Sequence, residues 1–363
     1  MQPLLEIRDL HTEFRTGAGV VRAVDGVSYS VDPGETVAIV GESGSGKSVS
    51  AMSILRLIPD PPGRITQGEI LFTGRDLMGL SEAEMRQIRG GEIGIVFQEP
   101  MTSLNPVLTI GRQLTEGLQQ HRGMGRIAAQ NRAVELLNLV GIADPERRLK
   151  QYPHQLSGGM RQRIMIAIAL ACDPKLIIAD EPTTALDVTI QAQILELMKR
   201  LTQQLNVALI IITHNLGVVA RYANRVNVMY AGRIVESGTA NAIYHDPRHP
   251  YTIALLRSVP RLDRPRQMRL DPVEGQPPDL TRLDDGCAFR PRCRFSIDIC
   301  AASRPALTPS GDDGHMAACF RSNVIAIEGH VDETLHREAH VINEHAGDEH
   351  AGDEHATETG EAA

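Results

Sequence analysis

The apolar and polar positions along the chain alternate between short strands and amphipathic helices. Residues 4–14 and 20–31 alternate loosely around Gly17 and Gly19, which predicts two strands joined by a turn. Apolar runs predict buried strands at residues 36–40, 94–98, 176–180 and 207–213. A 3.6-residue periodicity predicts helices at 47–58, 159–172 and 189–205, and helical periodicity with several breaks at 110–149. Strands that alternate with helices predict an α/β fold with a largely parallel sheet.

The character of the chain changes after Gly238, beyond a predicted hairpin at residues 225–236. Residues 260–285 are rich in Pro, Arg and Asp, residues 286–320 contain four of the five cysteines, and the end repeats the pentapeptide EHAGD. We therefore predict four units, namely a main domain at 1–240, a helical subdomain within it at about 100–165, a C-terminal extension at 241–325 and a disordered acidic, His-rich tail at 326–363.

Composition narrows the function classes. The chain has no Trp and only 3% aromatic residues, which disfavours a stacking surface for single-stranded nucleic acid. The last 36 residues carry a net charge of −10 and the preceding 327 about +2, so no basic face for nucleic acid is expected. No apolar run approaches the roughly 18–20 residues of a spanning helix, and no export signal is recognisable. We expect a cytosolic protein whose membrane role depends on partner chains.

A glycine-rich loop after the strand at 36–40 has the pattern G-x-x-x-x-G-K-S and leads into a helix. Its backbone N–H groups and the helix N-terminus suit a phosphate, Lys47 suits the β- and γ-phosphates of ATP, and the Ser48 hydroxyl suits Mg²⁺. The predicted nucleotide-binding residues of this loop are Gly41, Ser43, Gly44, Ser45, Gly46, Lys47, Ser48 and Val49.

Two adjacent acids, Asp180 and Glu181, follow the apolar strand at 176–180. Asp180 is predicted to hold Mg²⁺, and Glu181 to act as the base that orients and deprotonates the attacking water. Together with the phosphate loop, this pair predicts a nucleoside triphosphatase.

The segment Leu-Ser157-Gly158-Gly159-Met-Arg-Gln-Arg resembles the signature of the ABC ATPase family. Other family motifs follow in order: Gln98 matches the Q-loop, residues 185–187 (Ala-Leu-Asp) the D-loop, and His214 the switch histidine. Asn215 departs from the Asp usual after that histidine, with little expected consequence. The resemblance implies an ABC-type P-loop ATPase, with a RecA-like α/β core, an antiparallel β subdomain and a helical subdomain, plus the small cysteine-rich extension.

The same resemblance implies a dimer of two ATPase domains in head-to-tail contact. Ser157, Gly158 and Gly159 would then bind the γ-phosphate of ATP held by the partner's phosphate loop. His214 would contact the γ-phosphate in its own site, and Gln98 would bind both Mg²⁺ and the attacking water. Phe14 is the candidate to stack on adenine, the alternative being an inward-facing strand residue.

Further segments resemble the ATPases of dipeptide, oligopeptide and nickel importers. They are residues 97–106 (FQEPMTSLNP), 152–159 (YPHQLSGG), 179–188 (ADEPTTALDV) and 247–252 (PRHPYT). The resemblance covers about residues 3–322 and implies a second, different ATPase, two transmembrane permeases, an external substrate-binding protein and a peripheral location on the cytoplasmic face of the membrane. Dipeptides or short oligopeptides are the expected cargo, with nickel or glutathione as alternatives. A soluble ABC protein acting on ribosomes or DNA is disfavoured, because the chain has one phosphate loop and no heptad array.

Four cysteines near the C-terminus, Cys287, Cys293, Cys300 and Cys319, lie within 33 residues. Four cytosolic thiols at this spacing predict a metal site, either tetrahedral zinc or a [4Fe–4S] cluster. The resemblance to peptide-importer ATPases favours the iron–sulfur cluster, in a structural role. Zinc, or cysteines without a metal, stay open as alternatives. The six His residues of the tail could bind metal too, but a solvated tail is the simpler expectation.

Overall fold

The computed structural model describes residues 2–183, 187–219, 221–258, 273–311 and 314–328. Its strands are β1 (Leu5–Thr16), β2 (Gly19–Val31), β3 (Thr36–Val40), β4 (Gly63–Phe72), β5 (Arg75–Asp76), β6 (Ile93–Val96), β7 (Leu176–Asp180), β8 (Ala208–Thr213), β9 (Arg225–Tyr230), β10 (Arg233–Thr239), β11 (Thr308–Pro309) and β12 (Met316–Ala317). Its helices are α1 (Lys47–Ile54), α2 (Glu82–Ile88), α3 (Pro100–Ser103), α4 (Ile110–Arg122), α5 (Arg126–Leu139), α6 (Pro145–Arg148), α7 (Gly158–Leu170), α8 (Val188–Leu205), α9 (Leu216–Val219), α10 (Ala240–His245), α11 (Pro250–Arg257), α12 (Ile299–Ala302) and α13 (Ser322–Glu328).

The larger sheet has the strand order β11-β12-β10-β9-β3-β8-β7-β6 within the described residues. Strands β6, β7, β8 and β3 are parallel, as the alternation of strands and helices predicts. Strand β9 also pairs in parallel with β3, and β10 to β12 continue the sheet antiparallel. Only β8 separates β3 from β7, so the loops after β3 and β7 emerge at the same edge. Ligands of open α/β sheets bind at this carboxyl edge.

A second sheet, of order β2-β1-β4-β5, is antiparallel and packs against the first through a shared apolar cluster. The sequence pattern missed β4 and α2 and extended α1 to residue 58, whereas α1 ends at Ile54. Strand β4 escapes detection because its first residues are polar and Gly68 has a φ of +108°, so pairing with β1 decides its conformation.

Helices α4, α5 and α7 pack together in the region predicted as a helical subdomain. Their buried faces meet in one apolar cluster, which includes Leu114, Leu118, Ala133 and Leu136 and continues beneath the large sheet to Ile177. Among the described residues, no helix is both long enough and apolar enough to cross a membrane.

The region after β10 packs back on the main sheet. Tyr251 on α11 and Phe289 are buried beside Tyr230, with ring centroids of Tyr251 and Tyr230 4.6 Å apart. Buried Glu236 on β10 accepts hydrogen bonds from the backbone N–H groups of Arg248 (2.6 Å) and His249 (2.9 Å). The first three residues of the tail predicted at 326–363 belong to the end of α13, and the rest lies outside the described residues.

Candidate ATP site

The phosphate loop runs from the end of β3 into α1, as predicted. Gly41, Gly44 and Gly46 have φ values of +154°, +79° and +100°, which non-glycine residues rarely adopt. A Cβ at Gly46 would lie 2.1 Å from the Ala23 carbonyl oxygen. Gly46 and Gly41, whose Cβ would lie 2.2 Å from the Met229 carbonyl oxygen, therefore permit the tight path of the loop.

Lys47 is buried at the start of α1, and its ammonium group spans the phosphate loop. Its Nζ donates to the carbonyl oxygens of Gly41 (2.9 Å) and Glu42 (2.8 Å). Burial lowers the pKa of Lys47, while the carboxylates of Glu181, Asp180 and Glu42 oppose that shift. The side chain of Lys47 is thus fixed beneath the phosphate loop, whose residues Ser43 and Gly44 are exposed.

Two of the three predicted Mg²⁺ ligands, Ser48 and Asp180, are joined directly, whereas the third, Gln98, bonds to Glu181. Ser48 Oγ donates to Asp180 Oδ1 at 2.8 Å, which links α1 to the end of β7. Asp180 is 5% exposed, and burial raises its pKa, against the lowering effect of the Ser48 hydrogen bond. A hydroxyl and a carboxylate oxygen at this distance suit a hard, oxygen-seeking cation.

The three predicted catalytic side chains also converge. Gln98 Nε2 donates to Glu181 Oε2 at 3.1 Å, and His214 Nδ1 lies 3.4 Å from Glu181 Oε1. Glu181 has a φ of +44°, an unfavourable conformation for a non-glycine residue, and its N–H donates to the Ile212 carbonyl oxygen on β8. The strained backbone aims the carboxylate between an amide and an imidazole, an arrangement suited to orient a water for attack.

The signature residues lie at an exposed helix start. Ser157 is the N-cap of α7, its Oγ accepting from the Met160 N–H at 3.4 Å, and Gly158 is exposed beside it. Gly159 packs on α8, where a Cβ would lie 3.3 Å from Ile190. In the described residues, no hydrogen bond joins this signature to the phosphate loop of the same chain. Residues 185 and 186 of the predicted D-loop lie outside the described residues. The third D-loop residue, Asp187, is the N-cap of α8, and its Oδ1 accepts a hydrogen bond from the Ile190 N–H.

Phe14 lies on β1, half-buried, between Val21 on β2 and Gly63 on β4. Its ring is so close to Gly63 that a Cβ there would lie 2.7 Å from it. This packing fits the inward-facing alternative, and stacking on adenine stays a prediction. Val49, the last predicted residue of the loop, packs against the core of the antiparallel sheet.

The four C-terminal cysteines form no disulfides and are near enough to influence one another's pKa. Burial raises the pKa of Cys319 to about 11, and the neighbouring thiols of Cys293, Cys287 and Cys300 add to that rise. Backbone N–H groups point at the sulfurs, as the Arg321 N–H does at Cys319 Sγ (3.4 Å). Within the described ranges, however, no three or more His, Cys, Asp or Glu side chains are placed to hold a metal ion. The predicted iron–sulfur or zinc site is therefore not confirmed.

Sequence reasoning missed one contact of the phosphate loop. Glu42, the second residue of the loop, forms a bidentate ion pair with Arg292, which lies next to Cys293 in the extension. No local pattern indicates this pair, because the partners are 250 residues apart. The only indication of this pair in the sequence is that Glu42, a charged residue, occupies the first of the four unspecified positions in the motif G-x-x-x-x-G-K-S.

Two family models match the chain, namely ABC transporter over residues 24–184 and oligopeptide/dipeptide transporter, C-terminal region, over residues 235–300. The chain is 56% identical over 309 residues to the oligopeptide transport ATP-binding protein OppD of Bacillus subtilis, covering 85% of this chain and 86% of that protein. It is 53% identical over 320 residues to the dipeptide transport ATP-binding protein DppD of the same organism, covering 88% and 95%.

Solved structures of ATP-binding cassettes are also similar. The dimeric post-hydrolysis state of the cassette MJ0796 bound to ADP and Pi matches with a TM-score of 0.58 and 31% identity, covering 65% of this chain and 98% of that one. Fold and site together define an ATP-binding cassette. The chain belongs to the ATP-binding subunits of the oligopeptide/dipeptide branch of ABC transporters.

Proposed function

We propose that this chain hydrolyses ATP to drive uptake of dipeptides or short oligopeptides across the cytoplasmic membrane. The observation that carries the proposal is the preassembled site, in which Glu181 lies between Gln98 and His214 while Ser48 and Asp180 are hydrogen-bonded. The C-terminal family match and the names of the similar proteins support a peptide cargo.

In the proposed mechanism, ATP lies on the phosphate loop, with Lys47 against its β- and γ-phosphates. Mg²⁺ would be held by Ser48, Gln98 and Asp180, the last through a water, and would supply charge stabilisation at the transferring phosphoryl group. Glu181 orients the water for in-line attack and accepts its proton, and His214 contacts the γ-phosphate. Because the reaction separates the γ-phosphate from ADP, contacts to that phosphate change between the bound and released states.

The proposed assembly contains a second, different ATPase, two permeases and an external substrate-binding protein. Ser157–Gly159 would complete the partner's site, and its signature would complete the site on this chain. The exposed N-terminus of α7 supports this arrangement, since its N–H groups are available to an anion. The subunit would work at the cytoplasmic face of the membrane, held there by the permeases.

We further propose the domain division given above: an ATPase domain over 1–240, including a helical subdomain at about 100–165, an extension over 241–325 and a tail over 326–363. In the extension, Cys287, Cys293, Cys300 and Cys319 would hold a structural [4Fe–4S] cluster, with zinc as the alternative. Support comes from the mutual approach of the thiols and from N–H groups directed at sulfur. Iron and acid-labile sulfide in an anaerobic, brown preparation would support it; stoichiometric zinc in a colourless one would refute it.

Uptake measurements test the cargo. A strain lacking the native gene, complemented with this chain, is expected to regain uptake of labelled dipeptides and short oligopeptides. Complementation with Lys47→Ala should fail, because the substitution removes the cation that spans the phosphate loop. Uptake of Ni²⁺ or glutathione instead of peptides would replace the cargo assignment without changing the ATPase assignment.

A further inference from the structure

The second residue of the phosphate loop is fixed from outside the ATPase core. The Glu42 N–H donates to the Tyr251 hydroxyl at 2.7 Å, and the Glu42 carbonyl oxygen accepts from Lys47 at 2.8 Å. Its carboxylate accepts two hydrogen bonds from Arg292, Nη1 to Oε2 at 2.6 Å and Nη2 to Oε1 at 2.9 Å. Residues of the C-terminal region therefore hold both the backbone and the side chain of Glu42.

Arg292 is itself almost completely enclosed, with its side chain 3% exposed. Its Nε donates to the Glu274 carbonyl oxygen (2.8 Å) and its Nη2 also to that of Val273 (3.1 Å), while the guanidinium lies over the ring of Tyr230. These contacts fix the plane of the guanidinium, and its two Nη atoms then face the carboxylate of Glu42. The geometry is that of a fixed side chain rather than of a surface ion pair.

The charge of Arg292 matters because of where Glu42 lies. A carboxylate in the phosphate loop opposes the approach of a triphosphate. It also lies close to Lys47, whose pKa burial lowers and the carboxylate of Glu42 partly restores. Arg292 neutralises this carboxylate and directs it toward the extension. Without Arg292, the loop would present an uncompensated negative charge beside the ligand.

We propose that Arg292 is a positioning residue for nucleotide binding, which acts through Glu42 so that the cysteine-containing extension sets the ATP affinity of the chain's own phosphate loop. The proposal rests on the proposed ATPase function and assigns to the extension a role at that same site. Arg292 touches no nucleotide in this scheme.

The test compares KM for MgATP and kcat in full-length protein assembled with its partner subunits. Arg292→Gln is expected to raise KM about tenfold, because one uncompensated charge near the phosphates costs on the order of that factor, and to leave kcat nearly unchanged. The double variant Glu42→Gln/Arg292→Gln should return KM to within about threefold of wild type, since the repelling carboxylate is gone.

Arg290→Gln is the matched control. Arg290 lies in the same short turn, and its side chain pairs with Asp284 inside the extension at 2.9 Å. It should leave KM unchanged. If Arg292→Gln fails to fold, Arg292→Lys is measured in its place. Lysine keeps the positive charge but cannot form the bidentate pair with Glu42, so a KM about threefold higher than that of the wild type is expected.

Three results would overturn the proposal: a KM for Arg292→Gln equal to that of Arg290→Gln, no recovery in the double variant, or a wild-type KM in Arg292→Lys when that variant carries the test. Failure of the proposed function is distinguishable, because wild-type protein would then hydrolyse no ATP in the assembly.

Discussion

Single side chains decide whether the site can hydrolyse ATP or only bind it. In the proposed mechanism Glu181 is the base, whereas Lys47, Ser48 and Asp180 serve binding of the phosphates and of Mg²⁺. The carboxylate of Glu181 is 13% exposed and contacts both Gln98 and His214. Removing its charge while keeping its shape therefore separates chemistry from binding.

Glu181→Gln is expected to lower kcat about 10²- to 10⁴-fold, the usual contribution of a positioned base, with MgATP affinity nearly unchanged. The variant should accumulate the ATP-bound closed dimer, detectable by size-exclusion chromatography with radiolabelled ATP. Glu196→Gln, at an exposed carboxylate of α8, is the control and should hydrolyse ATP normally. Wild-type turnover in Glu181→Gln would refute the assignment of the base.

The sequence predicted the identity of these side chains better than their geometry. Lys47, Ser48 and Asp180 follow from motifs, because a loop between a strand and a helix fixes which atoms meet at the sheet edge. The positive φ of Glu181 could not be predicted, since nothing in its neighbours requires it. The bond from Arg292 to Glu42 was equally hidden, because it depends on how two distant segments pack.

Among the elements, the buried parallel strands were predictable and the partly polar ones were not. Strands β3, β7 and β8 have continuous apolar cores and keep their predicted positions within a residue. Helix α2 has only seven residues, too few to establish a period, although Ser81 and Glu84 form a capping box at its start. Hydrophobic periodicity does not detect such a pair, although a Ser followed three residues later by Glu is typical of a helix start.

Helix α11 carries a pH-dependent element at its start. His249 caps the helix, its Nδ1 accepting from the Tyr251 N–H at 3.1 Å, and burial lowers the pKa of His249 to about 3. Between that value and the unfolded value of about 6.5, the unfolded chain binds a proton that the folded chain does not. Stability is thus fully present above pH 6.5 and falls as the pH drops through this window.

His249→Asn is expected to reduce this pH dependence, because Asn can cap the helix but does not titrate. Between about pH 7.5 and about pH 5, the wild type should lose about 2 kcal/mol more of its free energy of unfolding than the variant. Urea titrations at the two pH values measure the difference. Glu236 and His315, which face the same pocket and pair at 2.8 Å, are present in both proteins. Equal losses in both would refute the role of His249.

At the scale of the whole molecule, the proposed mechanism divides the chain into two half-sites rather than one complete site. The phosphate loop emerges at the carboxyl edge of the sheet, while Ser157 lies exposed at the start of α7 in the helical subdomain. Hydrogen bonds of the signature stay within its own surroundings in the described residues. In the proposed assembly, the chain binds ATP on its own phosphate loop and requires a second cassette for closure around the nucleotide.

Ser157→Arg tests this division of labour. The isolated variant is expected to bind MgATP with wild-type affinity, because its own phosphate loop is intact. In the assembled transporter it should abolish nucleotide trapping at the partner ATPase, since a bulky side chain replaces the Ser157 hydroxyl and obstructs the helix N-terminus. Photolabelling with an azido-ATP analogue, resolved by subunit, measures both quantities.

The matched control for Ser157→Arg is Ser81→Arg, which makes the same substitution at another serine N-cap. Ser81 caps α2, accepting from the Glu84 N–H at 3.3 Å, and loss of either cap costs about 1 kcal/mol of stability. If both variants lose trapping equally, the effect comes from helix destabilisation and not from the signature. Should Ser157→Arg weaken MgATP binding in the isolated chain while the partner still traps nucleotide, the signature would serve its own phosphate loop. Only loss of trapping at the partner, with binding kept in the isolated variant, agrees with a site shared between two cassettes.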